Sequence, residues 1–276
     1  FRGERFSQLS GAGPNVIKLR KGLDVNLKGK AAKEEFQVKK PAVYALMPDD
    51  FTGMKPKVVV KENDVVKVGD SLFVDKNHPE IKFVSPVSGR VTMVERGDRR
   101  KVLSVRVEAD AEQQYVDFGK KNVGQMTAQE VKDLLLESGL FGFFRQRPYD
   151  VTANPSDTPK AIFVSAFNSM PLAADFEYVL RGREADFQAG LDALAKMAKT
   201  YLGVSSKQTA TALTAAKNVE INFFDGPAPA GNVGVQINHI SPINKGEVVW
   251  TLGAEEVIFI GHLLNTGRLD FTRVIA

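Results

Sequence analysis

The spacing of apolar residues changes character near residue 110, and this change restricts the chain to folds with two parts. Up to that point, short runs rich in Val, Leu and Phe recur at intervals of roughly 8 to 12 residues, separated by Gly and Pro turns, a pattern typical of an all-β domain. Alternation of polar and apolar side chains is clear in residues 101–108, which indicates a strand with one buried face.

Beyond residue 110 the pattern predicts strands that alternate with helices, which is typical of an α/β layer. Thr127 and Glu130 have the spacing of a capping box, so we predict a helix that begins there and ends at Gly139. Further elements are predicted as a strand over 161–167, helices over 183–203 and 205–218, a strand over 219–226, and a closing strand, helix and strand.

A hairpin in residues 68–91 carries a lysine, Lys76, after an alternating strand, and a Ser-Pro-x-Ser-Gly turn follows it. This pattern resembles the barrel-sandwich domains that carry lipoyl or biotinyl groups on a hairpin lysine. Here Pro79 enlarges and stiffens the tip of the hairpin, because proline fixes its own backbone torsion. We therefore predict that the shape is present and that Lys76 is unmodified.

These patterns together define the predicted organisation of the chain. Residues 1–16 are predicted to be an N-terminal extension, residues 17–110 a barrel-sandwich β domain, and residues 111–276 an α/β domain. The fold class is therefore α+β, with an α/β second part.

Composition excludes several classes of protein and site. The chain has no cysteine, which excludes disulfides, iron–sulfur clusters and thiol nucleophiles. Its three histidines are far apart in sequence and have no metal-ligand spacing. Basic residues are not interleaved with aromatic ones, so no nucleic-acid surface is predicted. No apolar run reaches the roughly 18 to 20 residues of a membrane-spanning helix, so no direct membrane span is expected.

Several longer stretches resemble one protein family in order along the chain. They include "FTGMKPKVVVKENDVVKVGDSLFVDK", "SGLFGFFRQRPYD", "AIFVSAFNSMPLAAD", "GPAPAGNVGVQINHISPI" and "TGRLDFTRVIA". From Ile17 to Ala276 the chain is similar to the A subunit of the bacterial Na⁺-translocating NADH:quinone oxidoreductase. The resemblance implies that family members continue with a ubiquitin-like (SLBB) segment and a helical end, which this sequence lacks, so we expect a longer protein.

The family in turn resembles the flavin-carrying subunit of respiratory complex I and the C subunit of the Rnf complex, which bind FMN at a glycine-rich loop. The matching region here is Gly139 to Pro148, where only two glycines remain and Phe143 and Phe144 take the space of a phosphate. We therefore predict that this chain binds no cofactor, and that FMN, NADH and the iron–sulfur centre belong to partner subunits.

Two loops are candidates for holding a quinone head group. The first supplies aromatic rings for stacking and cations for the carbonyl oxygens, namely Phe141, Phe143, Phe144, Arg145 and Arg147. The second supplies an opposing apolar wall, namely Leu46, Phe51 and Met54. The alternative interpretation of the first loop is a structural cluster that packs the two domains together, with its arginines extending to solvent. The second loop has the alternative of a plain turn.

The resemblance implies a peripheral subunit on the cytoplasmic face of the bacterial inner membrane. Its partners would be the other subunits of the sodium-pumping complex, together with quinone, and its role would be assembly and quinone access. The oxidoreductase activity would belong to the complex, with no catalysis by the isolated chain. Two alternatives stay open at this point: a carrier domain with a modified Lys76, and an independent flavin-binding redox protein.

Overall fold

The computed structural model describes residues 16–24, 28, 32–170 and 172–275. Apart from Val16, the predicted N-terminal extension lies outside the described residues.

The strands are β1 (Val16–Lys18), β2 (Val43–Leu46), β3 (Pro56–Val58), β4 (Val65–Val66), β5 (Ser71–Asp75), β6 (Lys82–Val84), β7 (Gly89–Arg96), β8 (Val102–Ala109), β9 (Arg145–Arg147), β10 (Val151–Thr152), β11 (Ile162–Ser165), β12 (Thr200–Ser205), β13 (Glu220–Asp225) and β14 (Val249–Gly253). The helices are α1 (Ala128–Ser138), α2 (Phe176–Leu180), α3 (Glu184–Met197), α4 (Thr211–Thr214), α5 (Val233–Ile240) and α6 (Ala254–Thr266).

Residues 43–109 form two antiparallel sheets, which we call the β sandwich. One sheet has the strand order β2-β8-β7-β4 and the other the order β3-β5-β6. Leu72, Val91 and Val105 are fully buried, and the rings of Phe73 and Phe83 stack with centroids 5.0 Å apart. The alternation seen in the sequence thus places one face of each strand in a shared core.

A seven-stranded sheet dominates the rest of the chain, and with its helices we call it the α/β layer. Its order is β1-β13-β12-β11-β14-β9-β10. The first five of these strands are parallel to their neighbours, whereas β9 runs antiparallel to β14 and β10 antiparallel to β9. The chain moves outward from β11 to β13 and then crosses back to β14, as in doubly wound folds.

The first strand pairs within the α/β layer, although Ile17 and Lys18 fall inside the range predicted as the β domain. Val16 pairs with Phe223 and Lys18 with Asp225, both on β13. A run of three residues does not indicate in the sequence which strand it will pair with. Pairing between strands so far apart in the chain is determined by the assembled sheet. The division of the chain at residue 110 stays a prediction.

Helix α1 confirms the local signals of the sequence. The Thr127 hydroxyl accepts a hydrogen bond from the Glu130 N–H at 3.2 Å, and the Thr127 N–H donates back to the Glu130 carboxylate at 3.3 Å. Gly139 ends the helix in the left-handed conformation, with φ of 79°.

Strand β12 corrects the predicted helix over 183–203, which ends at Met197. Ala198 already has extended torsions, and Thr200, Tyr201 and Val204 are residue types that favour strands. The helix predicted over 205–218 shortens to the single turn of α4, and the described residues 268–275 adopt no strand. In these segments the apolar pattern extends over too few residues to distinguish a helix from the strand or loop next to it.

Helices α3 and α6 cross with their backbones in contact on one face of the sheet. A methyl group on Gly261 would lie 2.8 Å from the Cα of Asp186 and closer still to its carbonyl. Gly190 on α3 meets Val257 on α6 in the same way, with 2.8 Å to the Cγ1 atom. The two glycines therefore set the distance between the helices.

Gly261→Ala should destabilise the fold by about 2 kcal/mol. The added methyl group would overpack a backbone contact, and this destabilisation exceeds the stabilisation from the higher helix propensity of alanine. Chemical denaturation followed by circular dichroism measures the free energy of unfolding. Gly124→Ala is the matched control, since Gly124 is exposed and an added Cβ would meet only the Asn122 side chain, at 3.3 Å. Equal stability of both variants would contradict the proposed helix contact.

Candidate functional site

A cleft of about 470 Å³ lies where the β sandwich, the turn after α1 and the end of the described chain meet. Its lining residues are Leu46, Asp50, Phe51, Phe83, Val84, Pro86, Gly139, Gly142, Phe143, Arg145, Glu256, Phe271 and Arg273. The volume is within the range of small-molecule sites. The lining combines apolar side chains with four charged residues, namely Asp50, Arg145, Glu256 and Arg273.

Two glycines position the turn that forms the floor of this cleft. A Cβ on Gly139 would lie 2.6 Å from the Cγ1 of Val84, and one on Gly142 would lie 2.7 Å from the Cε1 of Phe83. Both glycines therefore permit residues 139–144 to pack directly on strand β6. The turn thus faces the β sandwich, and the absence of flavin binding at residues 139–148 stays a prediction.

Aromatic rings from four distant parts of the chain form the wall of the cleft. Phe51 lies 4.5 Å from Phe83 and 5.9 Å from Phe143, measured between ring centroids. Phe143 in turn lies 6.2 Å from Phe271. These separations are typical of interacting aromatic pairs, and the rings are tilted or edge-to-face, so the wall offers a ligand apolar faces in several orientations.

Two arginines bring positive charge to the cleft from different elements. The Nη2 of Arg145, on β9, donates a hydrogen bond to the backbone oxygen of Asp50 at 3.1 Å. Arg273 forms an ion pair with Glu256 at 2.8 Å and lies over the ring of Phe259, 5.1 Å from its centroid.

The structure brings together four of the eight residues predicted for a quinone site. Leu46 and Phe51 from one loop face Phe143 and Arg145 from the other across the same cleft. The two candidate loops therefore meet, as a shared site requires.

The other four predicted residues do not line the cleft. Phe141 and Phe144 are fully buried, stack with centroids 5.4 Å apart and pack against Trp250, because this turn also closes the core. Met54 is 9% exposed and belongs to the same core. Arg147 is held by Asp150 at 3.3 Å and extends toward Gly234 on α5.

Sequence reasoning missed the residues that complete the site, above all Phe83, Glu256, Phe271 and Arg273. Phe83 lies in a strand whose neighbours gave only a packing signal. Phe271 and Arg273 stand in the stretch "TGRLDFTRVIA", where an aromatic residue two positions before a cation was the one available hint. Only the fold shows that this stretch returns to the turn after α1.

Lys76 lies directly after β5, at the start of the connection to β6. Its backbone N–H donates to the Lys55 oxygen at 2.7 Å, and its side chain is exposed. His78 and Glu80 approach within 3.8 Å across the same connection. The absence of a modification on Lys76 stays a prediction.

Within the described ranges, no helix combines the length and apolar character needed to cross a bilayer. The same part of the chain contains no group of three or more His, Asp or Glu side chains arranged to hold a metal ion.

Glu255 is a partly buried carboxylate beside the ion pair of the cleft. Burial raises the pKa of Glu255 above its ordinary value; Arg273 opposes this shift and the like charge of Glu256 adds to it. Its Oε2 atom is buried without a hydrogen-bond partner among the described residues. The first turn of α6 thus holds two acidic residues in different environments.

Comparison with known proteins gives two family matches. Residues 17–110 match the model described as the NqrA N-terminal barrel-sandwich hybrid domain, and residues 126–269 match the model described as the NqrA second alpha/beta domain. These matches confirm the predicted fold class.

Individual relatives are named as the A subunit of a Na(+)-translocating NADH-quinone reductase. The chain is 35% identical over 264 residues to the protein of Pseudomonas aeruginosa (strain UCBPP-PA14), and 35% identical over 267 residues to that of Yersinia pseudotuberculosis serotype O:1b (strain IP 31758). It is 36% identical over 266 residues to that of Serratia proteamaculans (strain 568). Each alignment covers 95% of this chain and 59% of the relative, so the chain spans less than two thirds of their length.

The raised pKa of Glu255 predicts a pH-dependent effect of the variant Glu255→Gln. In the folded state Glu255 binds its proton more tightly than in the unfolded state, so its contribution to stability is full at low pH and falls as pH rises through the folded pKa. The melting temperature of the variant, minus that of the wild type, should therefore increase from about pH 4 to about pH 7. Glu112→Gln, at an exposed position, controls for the removal of one negative charge. If the melting-temperature difference of Glu255→Gln has the same pH dependence as that of Glu112→Gln, the raised pKa of Glu255 does not contribute to stability.

Proposed function

The chain belongs to the NqrA family, and from that premise we propose that it is the quinone-binding part of a peripheral subunit in a Na⁺-translocating NADH:quinone reductase. The observation that carries the proposal is the cleft in which Leu46 and Phe51 oppose Phe143 and Arg145. These residues come from two loops, one predicted to supply rings and cations and the other an opposing apolar wall.

The chemistry of a quinone fits the lining of this cleft. The head group is a flat apolar ring, and the aromatic wall around Phe143 offers it surfaces for stacking. Its carbonyl oxygens accept hydrogen bonds, and Arg145 is a donor that stays charged at any physiological pH. A quinone that gains electrons also gains negative charge, so a cation at the carbonyl stabilises the reduced form more than the oxidised one.

The same proposal divides the work between this chain and its partners. Oxidation of NADH, the flavin and the iron–sulfur centre are assigned to other subunits of the complex, and this chain holds the acceptor. We place it at the cytoplasmic face of the inner membrane, as the family resemblance implies, and a lipid-soluble acceptor is consistent with a position beside a membrane. The packing of Gly139 and Gly142 on β6 supports this division against an independent flavin protein.

Phe143→Ala should weaken the binding of a short-chain quinone by about 1 to 3 kcal/mol, the range for losing one stacked aromatic contact. Quenching of intrinsic fluorescence by the quinone measures the affinity. Tyr149→Ala is a suitable control, because Tyr149 is 85% exposed and does not line the cleft. Wild-type affinity in the Phe143 variant, with its fold intact by circular dichroism, would show that the ring does not contact the quinone.

Arg145→Ala should weaken the same binding by about 1.5 to 3 kcal/mol, the range for a hydrogen bond that involves a charged group. Arg147→Ala provides a matched control on the same strand, since Arg147 contacts Asp150 outside the cleft. Isothermal titration of both variants separates the two arginines. An equal loss of quinone affinity in both variants would contradict the proposed site. It would favour the alternative interpretation, in which this loop is a structural cluster.

A further inference from the structure

A second pocket, of about 700 Å³, lies at the edge of the α/β layer, between helix α5 and residues 18–21. We call this pocket the basic pocket, and residues 18–21, Lys-Leu-Arg-Lys, the basic segment. Strands β1 and β13 both end here, since Lys18 pairs with Asp225 and each is the last residue of its strand. In open α/β sheets, ligands bind outside the carboxyl ends of the strands, and the basic pocket lies at that end.

The permanently charged residues around the basic pocket all carry the same sign. Lys18, Arg20 and Lys21 line it, and its described lining contains no carboxylate. All three residues are exposed. Within the described part of the chain, none of the three forms an ion pair. Three like charges within four successive residues repel one another, and an anion bound between them offsets that repulsion.

The loop between β13 and α5 holds the basic segment in position. The Leu19 N–H donates to the Asp225 oxygen at 2.8 Å. The Leu23 N–H donates to the Ala228 oxygen at 3.1 Å. The Ala228 N–H in turn donates to the carboxylate of Asp24 at 2.8 Å, so this acidic side chain is engaged by the loop. A segment anchored in this way loses less conformational entropy when it binds a ligand.

Helix α5 forms the opposite wall of the basic pocket. The carboxamide oxygen of Asn232 accepts hydrogen bonds from the Gly234 N–H at 2.8 Å and from the Val235 N–H at 3.4 Å. These two amides are therefore occupied, and the donors for a ligand come from the basic segment. One turn further along the helix, Asn238 is exposed and adds a neutral polar side chain to the lining.

We propose that the basic pocket binds a phosphate group, with Arg20 donating paired hydrogen bonds to two phosphate oxygens and with Lys18 and Lys21 supplying charge. A phosphate monoester carries about −1.5 to −2 charges and three acceptor oxygens at neutral pH, so it matches several cations better than a carboxylate does. The planar guanidinium fits two of these oxygens at once, whereas lysine acts as a point charge. Two sources carry this chemistry: a soluble phosphorylated molecule and the headgroup of an anionic lipid.

Isothermal titration of the purified protein with inorganic pyrophosphate, at constant ionic strength, tests the soluble source. Saturable binding at one site is expected. Arg20→Gln should raise the Kd about tenfold, the size of one charge-assisted hydrogen bond, and Lys18→Gln should raise it less. Lys61→Gln is the matched control and should bind as wild type does, since Lys61 is exposed on the β sandwich and does not line the basic pocket.

Asn238→Asp tests the place of binding without removing a cation. The two side chains have nearly the same shape, and the new carboxylate would repel a phosphate in the pocket, so the Kd for pyrophosphate should rise about fivefold. Asn77→Asp makes the same change at an exposed position of the β sandwich and should have no effect. Succinate, a dicarboxylate, should bind wild type at least about tenfold more weakly than pyrophosphate.

Co-sedimentation with vesicles of phosphatidic acid in phosphatidylcholine tests the lipid source, with pure phosphatidylcholine vesicles as the blank. Vesicle binding that Arg20→Gln reduces and Lys61→Gln does not supports the proposal with a lipid as the ligand. Pyrophosphate binding with the same dependence supports it with a soluble ligand.

Three results would overturn the phosphate site. They are no binding of either probe by wild type, equal effects of Arg20→Gln and Lys61→Gln, and equal affinities for succinate and pyrophosphate. None of these results bears on the quinone proposal, because the basic pocket and the cleft share no described lining residue.

Discussion

The contact between the turn after α1 and strand β6 is the interaction on which the rest of the site depends. Gly139 and Gly142 have no side chains where they meet Val84 and Phe83, so two layers of different architecture lie directly against each other. This contact brings Phe143 beside Phe51 and closes the floor of the cleft. Since protein interiors are close-packed, even one added methyl group there would displace rings whose stacking depends on their separation.

Local signals in the sequence predicted the elements whose causes are local. The capping box of α1 and the alternation in β8 needed only neighbouring residues, and both elements form as expected. The end of α3 was predicted wrongly, and the partner of strand β1 was not predicted, because both depend on strands far away in the chain. The same holds for the site. The composition of the sequence identified the two loops, but it could not tell which of their aromatic residues line the cleft. Phe141 and Phe144 pack against Trp250 in the core instead.

The glycines of residues 139–142 show what a missing side chain contributes to this fold. A glycine lets another group approach the backbone closely, and here the group is a neighbouring strand. The turn after α1 is thus a joint between the two layers, with a cleft at its margin.

Strand β1 has a consequence for the order in which this molecule assembles. The chain contributes its first described strand to the α/β layer, then forms the β sandwich, and then returns to complete the sheet. Val16 can therefore pair with Phe223 only after the whole β sandwich and residues up to 223 have been synthesised. The sandwich has contacts of short sequence separation and can form while the ribosome is still at work, whereas closure of the sheet edge carries a large loop-closure entropy and comes late. Until then, β13 is an unprotected edge in the nascent protein, open to pairing with another chain.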